Sequence, residues 1–196
     1  MEQIINDVFI FRDTCLDIEK RWLHKFITEQ EEKCYVPKFK GIYPMNLKMN
    51  CFGKHWSAID NKYHDTRVDY DNQQVEHMPS FLVNMVRGVV LESFPYHRPS
   101  WDICLMNIYE PGCTLGVHQD NSESKAALKI GHPVVSLSLG AGCIFKLGPK
   151  RNSLIDVQLN DGDIIIFGGE SRLIYHGVDK ILSDSERRIN FTLRKF

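Results

Sequence analysis

The apolar positions change their period near residue 95. Before it, Leu16, Trp22, Leu23, Phe26 and Ile27 recur at helical spacing. They predict a helix over 14–31, with Asp13 or Thr14 able to cap its start. A second helix is predicted over 79–93, with Pro79 in its first turn and an apolar stripe of Phe81, Leu82, Met85, Val86 and Val89. Residues 35–78 between them are polar, irregular and rich in aromatic and basic side chains, which predicts short strands and loops. After Pro95, eight strand-like runs follow: Trp101–Tyr109, Leu115–Gln119, Pro133–Leu139, Gly142–Leu147, Leu154–Leu159, Asp163–Phe167, Leu173–Val178 and Arg188–Arg194. Turn signals such as Pro111-Gly112, Gly148-Pro149 and Asn160-Asp161-Gly162 separate them. Eight short strands at this spacing predict a double-sheet jelly roll. The helices would pack outside it. The chain reads as one α+β domain: an N-terminal extension to about 95 and a jelly-roll core from about 100 to 196.

Composition bounds the class. The chain has 196 residues, enough for one substantial core. Its 24 Lys and Arg nearly balance 25 Asp and Glu, so no global basic footprint marks a nucleic-acid binder. Residues 33–67 are the exception. Lys33, Lys38, Lys40, Lys48, Lys54, Lys62 and Arg67 face only Asp60 and Asp65 there, a local net charge of +5. Such a window is either a solvated charged face or a seat for a short run of phosphates. The six cysteines form no C-x-x-C pair and follow no secretory leader. They read as reduced thiols of an intracellular protein, cytoplasmic or, in a eukaryote, nuclear. No apolar run reaches the length of a membrane span. A monomer is expected.

The candidate chemistry starts at His118 and Asp120. Two apart on a strand or its end, their side chains share a face and can share a metal. H-x-D alone is a weak signal. His176, at the end of a strand-like run and before Gly177, supplies a third ligand. Two histidines and one carboxylate form the facial triad of non-haem Fe(II) oxygenases, which leaves open positions for a chelating cosubstrate and O₂.

The last strand supports this. Arg188, Asn190, Thr192 and Arg194 share one face, and Ile189, Phe191 and Leu193 the other. The polar face is either the wet side of an edge strand or what a buried dicarboxylate requires, because an arginine fork binds carboxylates through two parallel hydrogen bonds. Asn107 and Tyr109 on the first core strand can add polar contacts from across a barrel.

Together these residues resemble the AlkB family of 2-oxoglutarate dioxygenases, the bacterial type most of all. The matching stretches are Leu105–Gly112, His118-Gln119-Asp120, Pro133–Gly140, Gly168–Gly177 (G-G-E-S-R-x-x-x-H-G) and Arg188–Arg194 (R-x-N-x-T-x-R). They cover most of 101–196. The resemblance implies that His118, Asp120 and His176 bind Fe(II). It implies that Arg188 pairs with the distal carboxylate of 2-oxoglutarate, aided by Tyr109 and Asn190, while Arg194 and Asn107 support the end nearest the metal. It also implies O₂ as co-reactant and removal of alkyl groups from bases such as N1-methyladenine and N3-methylcytosine, in single-stranded or base-flipped DNA and also RNA. A looser match over Cys51–Trp56 and Tyr63 implies a nucleotide-recognition lid within 33–78. Trp56 would stack on the flipped base or anchor the lid, and Tyr63 or nearby basic residues would hold phosphates. Lys150-Arg151 is either a solvated turn or a basic side chain reaching the substrate. The chain departs from the family at Ser122, where the bacterial pattern has an acid that contacts the base; Glu123 stands beside it. The competing reading is a 2-oxoglutarate oxygenase acting on a protein or small molecule, with the same core and a different lid.

Overall fold

The computed structural model describes residues 1–39, 41–98 and 100–196. Its N-terminal part holds β1 (Glu2–Ile5), β2 (Val8–Phe11), α1 (Asp17–Glu31), β3 (Lys38–Phe39), β4 (Tyr43–Pro44), β5 (Lys48–Phe52), β6 (His55–Ser57), β7 (Lys62–His64) and α2 (Ser80–Ser93). There follow β8 (Ile103–Tyr109), β9 (Leu115–His118), a short helix α3 (Lys125–Lys129), β10 (Val134–Gly140) and β11 (Cys143–Lys150). The chain closes with β12 (Ser153–Leu159), β13 (Ile164–Phe167), β14 (Tyr175–Ile181) and β15 (Arg188–Arg194).

The strands form two principal antiparallel sheets. The larger runs β1-β2-β13-β10-β15-β8-β5 and the smaller β12-β11-β14-β9. Strands β8 to β15 pass back and forth between the two sheets, with β11 and β12 a hairpin inside the smaller one, in the manner of a double-stranded β-helix. All eight expected core strands are present.

The period-two pattern of β15 now has a physical reading. Its outward residues Ile189, Phe191 and Leu193 pack in one apolar cluster with Leu23 and Ile27 of α1 and Leu82, Val86 and Val90 of α2. The helices therefore cover the outer face of the larger sheet. The inward face carries Arg188, Asn190, Thr192 and Arg194. Since β15 pairs with β10 on one side and β8 on the other, it is an interior strand, and its polar face is enclosed rather than wet. A second apolar cluster, including Val134, Ile165, Phe167, Phe145, Leu147 and Val178, closes the space between the sheets.

Some expectations are corrected. Neither Asp13 nor Thr14 caps α1; the Thr14 hydroxyl donates to the Gly162 carbonyl at 2.9 Å, and the Glu19 carboxylate instead accepts the Leu16 amide at 2.8 Å. Leu16 precedes the helix and Trp22 lies off the buried stripe, so both are exposed. Pro79 stands just before α2 rather than inside its first turn. The hairpin β1–β2 was not foreseen; Asp7, at φ 54°, makes its turn, and β2 pairs with β13 to extend the larger sheet.

The basic window is also weaker than its composition. Lys33 pairs with Glu76 at 2.5 Å, Lys54 with Asp65 at 2.6 Å, and Arg67 is buried against Asp71. The acids that neutralise it lie mostly just beyond residue 67. Lys38, Lys48 and Lys62 remain exposed, and Lys40 lies outside the described residues.

Candidate active site and metal centre

His118 ends β9 and His176 lies on β14, and the two are directly opposed in the register of that strand pair. Gly177 makes this approach sterically feasible, since a Cβ there would sit 2.6 Å from the Leu115 carbonyl oxygen. Asp120 follows two residues after His118. One ligand atom from each of the three lies within 4.8 Å of the other two. His118 Nε2 is 3.6 Å from Asp120 Oδ1, and His176 Nε2 is 3.7 Å from Asp120 Oδ2.

The backbone fixes both rings. His118 Nδ1–H donates to the Gly116 carbonyl at 2.9 Å, and His176 Nδ1–H to the Ile174 carbonyl at 3.0 Å. Each imidazole is thereby held in the tautomer whose Nε2 lone pair faces the carboxylate, the usual support for a metal-ligating histidine. Phe145 and Phe167 flank the His176 ring at 5.8 and 4.9 Å between centroids. Burial pushes His176 down to about 4, despite the attraction of Asp120, so it is neutral near pH 7. Burial also disfavours the Asp120 charge, but the guanidinium of Arg194 and the two imidazoles outweigh it and hold the carboxyl well below its usual range. His118 is raised: burial opposes its charge, but the hydrogen bond and charge of Asp120 win. The site thus offers two nitrogen lone pairs and one carboxylate, a donor set suited to iron(II).

A network unforeseen in the sequence backs the triad. Arg194 Nη1 lies 3.1 Å from both Asp120 Oδ1 and Glu123 Oε1. Arg172 Nη2 lies 3.1 Å from Glu123 Oε2, and its Nη1 donates to the Asp120 carbonyl at 2.7 Å. Glu123 is fully enclosed between the two guanidinium groups. Arg172 is the last residue of the G-G-E-S-R run. Gly168 and Ser171 of that run instead grip the N-terminal turn, the Gly168 amide donating to the Asp7 carbonyl at 3.1 Å and the Ser171 hydroxyl to the Asn6 carbonyl at 2.6 Å. The signal for Glu123 was its spacing of three from Asp120, but its partners could come only from tertiary structure.

Beside this network lies a buried arginine with a different character. Arg188 is 1% exposed and sits 5.2 Å over the Tyr109 ring. Its Nη2 donates to Ser138 Oγ at 2.9 Å, yet its Nε and Nη1 have no partner among the described residues. Arg194 Nε and Asn107 Oδ1 are likewise unpartnered. Asn190 donates to Ser136 Oγ at 2.7 Å and to the Leu137 carbonyl at 2.9 Å. Asp120 and Glu123 balance Arg172 and Arg194, which leaves Arg188 as the enclosed charge of the site that has no counter-ion among the described residues. A buried cation with unsatisfied donors requires an anion. These residues fit a dicarboxylate such as 2-oxoglutarate, with a guanidinium at each end of the inner face of β15.

The expected substrate residues are placed as follows. Trp56 and Tyr63 are opposed in the β6–β7 hairpin, ring centroids 5.0 Å apart, and Tyr63 also meets Phe196 at 4.8 Å. The Tyr63 hydroxyl points inward, 3.4 Å from Glu123 Oε1, and not outward to a phosphate. Ser122 is half-buried beside Glu123. Arg151, exposed in the β11–β12 turn, lies 5.4 Å over the ring of Tyr175, the neighbour of His176.

Comparison with known proteins agrees with this geometry. The 2OG-Fe(II) oxygenase superfamily model matches residues 11–194. DNA N(6)-methyladenine demethylase ALKBH1C of Arabidopsis thaliana is 31% identical over 192 residues, 83% of this chain and 42% of that protein. The alpha-ketoglutarate-dependent dioxygenase AlkB of Salmonella typhimurium is 32% identical over 165 residues, 79% of this chain and 74% of that one. The solved structure of OsALKBH1 superimposes with a TM-score of 0.90 at 28% identity, covering 100% of this chain and 99% of the other. The chain spans less than half the length of the Arabidopsis relative. On sequence, fold and donor set, this chain belongs to the AlkB family of 2OG-Fe(II) oxygenases, with Fe(II), 2-oxoglutarate and O₂ as its cofactor and cosubstrates.

Proposed function

We propose that the protein oxidatively removes alkyl groups from nitrogen atoms of nucleic-acid bases, such as N1-methyladenine and N3-methylcytosine, in single-stranded or base-flipped DNA and in RNA. One observation carries the reading: an aromatic platform runs directly into the metal triad. The Trp56 and Tyr63 rings meet at a tilt, the Tyr63 hydroxyl reaches Glu123, and Arg194 joins Glu123 to Asp120. The Arabidopsis relative is named for demethylating N(6)-methyladenine in DNA, which supports a nucleic-acid base as the substrate class.

Iron(II), 2-oxoglutarate and O₂ supply the oxidation, which gives succinate and CO₂ and turns the N-methyl group into a hydroxymethyl that departs as formaldehyde. His118, Asp120 and His176 hold the iron, their rings aimed by the Gly116 and Ile174 carbonyls. Arg188, with Tyr109 and Asn190, takes the distal carboxylate, and Arg194 with Asn107 supports the end nearest the metal. A base must leave its stack to reach this depth, so unpaired or weakly paired bases are favoured. Trp56 stacks on it, a contact worth about 1–3 kcal/mol. Ser122 lines the approach without the charge that an acid would bring, and Arg151 offers a cation to the strand. All these groups come from one chain, so a monomer suffices. The six unpaired cysteines suit an intracellular setting, cytoplasmic or nuclear.

Mass spectrometry of a single-stranded oligonucleotide carrying one N1-methyladenine tests the proposal. Methyl loss that depends on both Fe(II) and 2-oxoglutarate is expected. Cosubstrate consumption with the methyl retained would move the substrate to a protein or small molecule.

A further inference from the structure

We infer that Asp69 and Arg67 are positioning residues that hold the base-recognition hairpin in its working shape before any nucleic acid arrives. The inference rests on Trp56 and Tyr63 receiving the base, as proposed above. The hairpin β6–β7 has two faces. Trp56 and Tyr63 share one. His55 and Ser57, one residue to either side of Trp56, point the opposite way and are 2% and 1% exposed. What they point at decides where Trp56 points, because alternate residues of a strand face opposite sides.

They point at Asp69. Its Oδ1 accepts the Ser57 hydroxyl at 2.6 Å, its Oδ2 accepts the Ala58 amide at 2.7 Å, and His55 Nε2 stands 3.8 Å from the same Oδ2. The carboxylate is only 5% exposed. One side chain therefore ties down the end of β6 that follows Trp56, with the His55 ring packed beside it. Its neighbour Tyr70 stacks on Tyr35 at 4.1 Å, meets His55 edge-on at 5.6 Å, and accepts the Lys38 amide at 3.0 Å through its hydroxyl.

Arg67 holds the loop that carries Asp69. Its Nε donates to Asp71 Oδ1 at 3.0 Å and its Nη2 to Asp71 Oδ2 and to Gln73 Oε1 at 3.2 Å. Its Nη1 donates to the Lys33 carbonyl at 2.6 Å and to Asn50 Oδ1 at 3.3 Å. The loop is thereby pinned to the end of α1 and to β5. A segment that ordered only on binding would be held by exposed, weak contacts; this one is built on buried, charge-assisted hydrogen bonds.

Amide hydrogen exchange on the free protein is the test, with Asp69→Ala and Asp69→Asn as variants. In the free wild type, the amides of 55–64 are expected to be protected and to change by less than about threefold when the methylated oligonucleotide is added. Asp69→Ala removes the acceptor of Ser57 and Ala58. It should cost about tenfold or more in hairpin protection and raise the oligonucleotide KM by a similar factor. Iron-dependent 2-oxoglutarate consumption without oligonucleotide, and the protection of β8 and β15, should stay unchanged. Asp69→Asn keeps the shape and one acceptor and should fall between. Rapid exchange of 55–64 in the free wild type, with protection appearing only on oligonucleotide binding, would overturn the inference. So would Asp69→Ala exchange indistinguishable from wild type. Exchange on the free protein needs no turnover, so it decides this inference even where the base-dealkylation proposal fails.

Discussion

Two of the buried arginines, Arg67 and Arg188, stand in opposite conditions, and the contrast separates scaffold from site. Arg67, in the loop after β7, directs every nitrogen of its guanidinium to a named acceptor and carries Asp71 as its counter-ion. Arg188, in the jelly roll, has one hydrogen bond, two unpartnered nitrogens and no acid beside it. A satisfied buried guanidinium specifies a shape. An unsatisfied one is paid for only when a ligand completes it. Burial alone would rank the two alike; their partners distinguish them.

The largest way to break the contrast is Arg188→Met. Losing a buried arginine–carboxylate pair costs about 2–5 kcal/mol, so 2-oxoglutarate turnover should fall by about 30-fold or more. Folding stability in denaturant should hold or rise, because an uncompensated buried charge has been removed. Arg67→Met should do the reverse. Asp71 stays in contact with water, so the loss is that of the buried donors to the Lys33 carbonyl and Asn50 Oδ1, about 1–3 kcal/mol of stability read by the same denaturation, with 2-oxoglutarate consumption in the folded fraction unchanged. Trp56→Ala is narrower. It should raise the oligonucleotide KM by roughly 5- to 150-fold, the equivalent of one stacking contact, and leave substrate-free 2-oxoglutarate consumption intact.

The smallest effect is a slope. Metal binding needs both Nε2 lone pairs. His118, raised by Asp120 above the ordinary imidazole value of about 6.5, takes a proton first as pH falls. His176, held down to about 4 by burial, takes none over that range. Metal affinity should therefore fall on the acid side of His118 with one proton displaced per metal, and calorimetric titration at several pH values reads this directly. Two protons displaced near pH 6 would contradict the assignment.

The sequence revealed the parts of this picture that depend on local pattern. Eight core strands were legible because each alternates or runs apolar between turn residues. His118, Asp120, Arg188, Asn190 and Arg194 were legible because each stands at a fixed spacing on one strand face. Tertiary partnership was not legible. Glu123 is one residue from the position where an acid was expected, and only the fold brings Arg172 and Arg194 to it. The charge of residues 33–67 looked open because Asp69, Asp71 and Glu76 fall beyond the window. The β1–β2 hairpin was missed because its strands are only four residues each and Ile4-Ile5 and Val8–Phe11 run continuously apolar beside the Asn6-Asp7 turn, with no alternation to mark a sheet face.

The most direct test of the central contrast is calorimetric titration of 2-oxoglutarate, without O₂, into protein loaded with Mn(II), comparing wild type with Arg188→Met. The account predicts tight binding to wild type and affinity weaker by about 30-fold or more in the variant. Equal affinity would mean that the unpartnered donors of Arg188 are not the cosubstrate's seat.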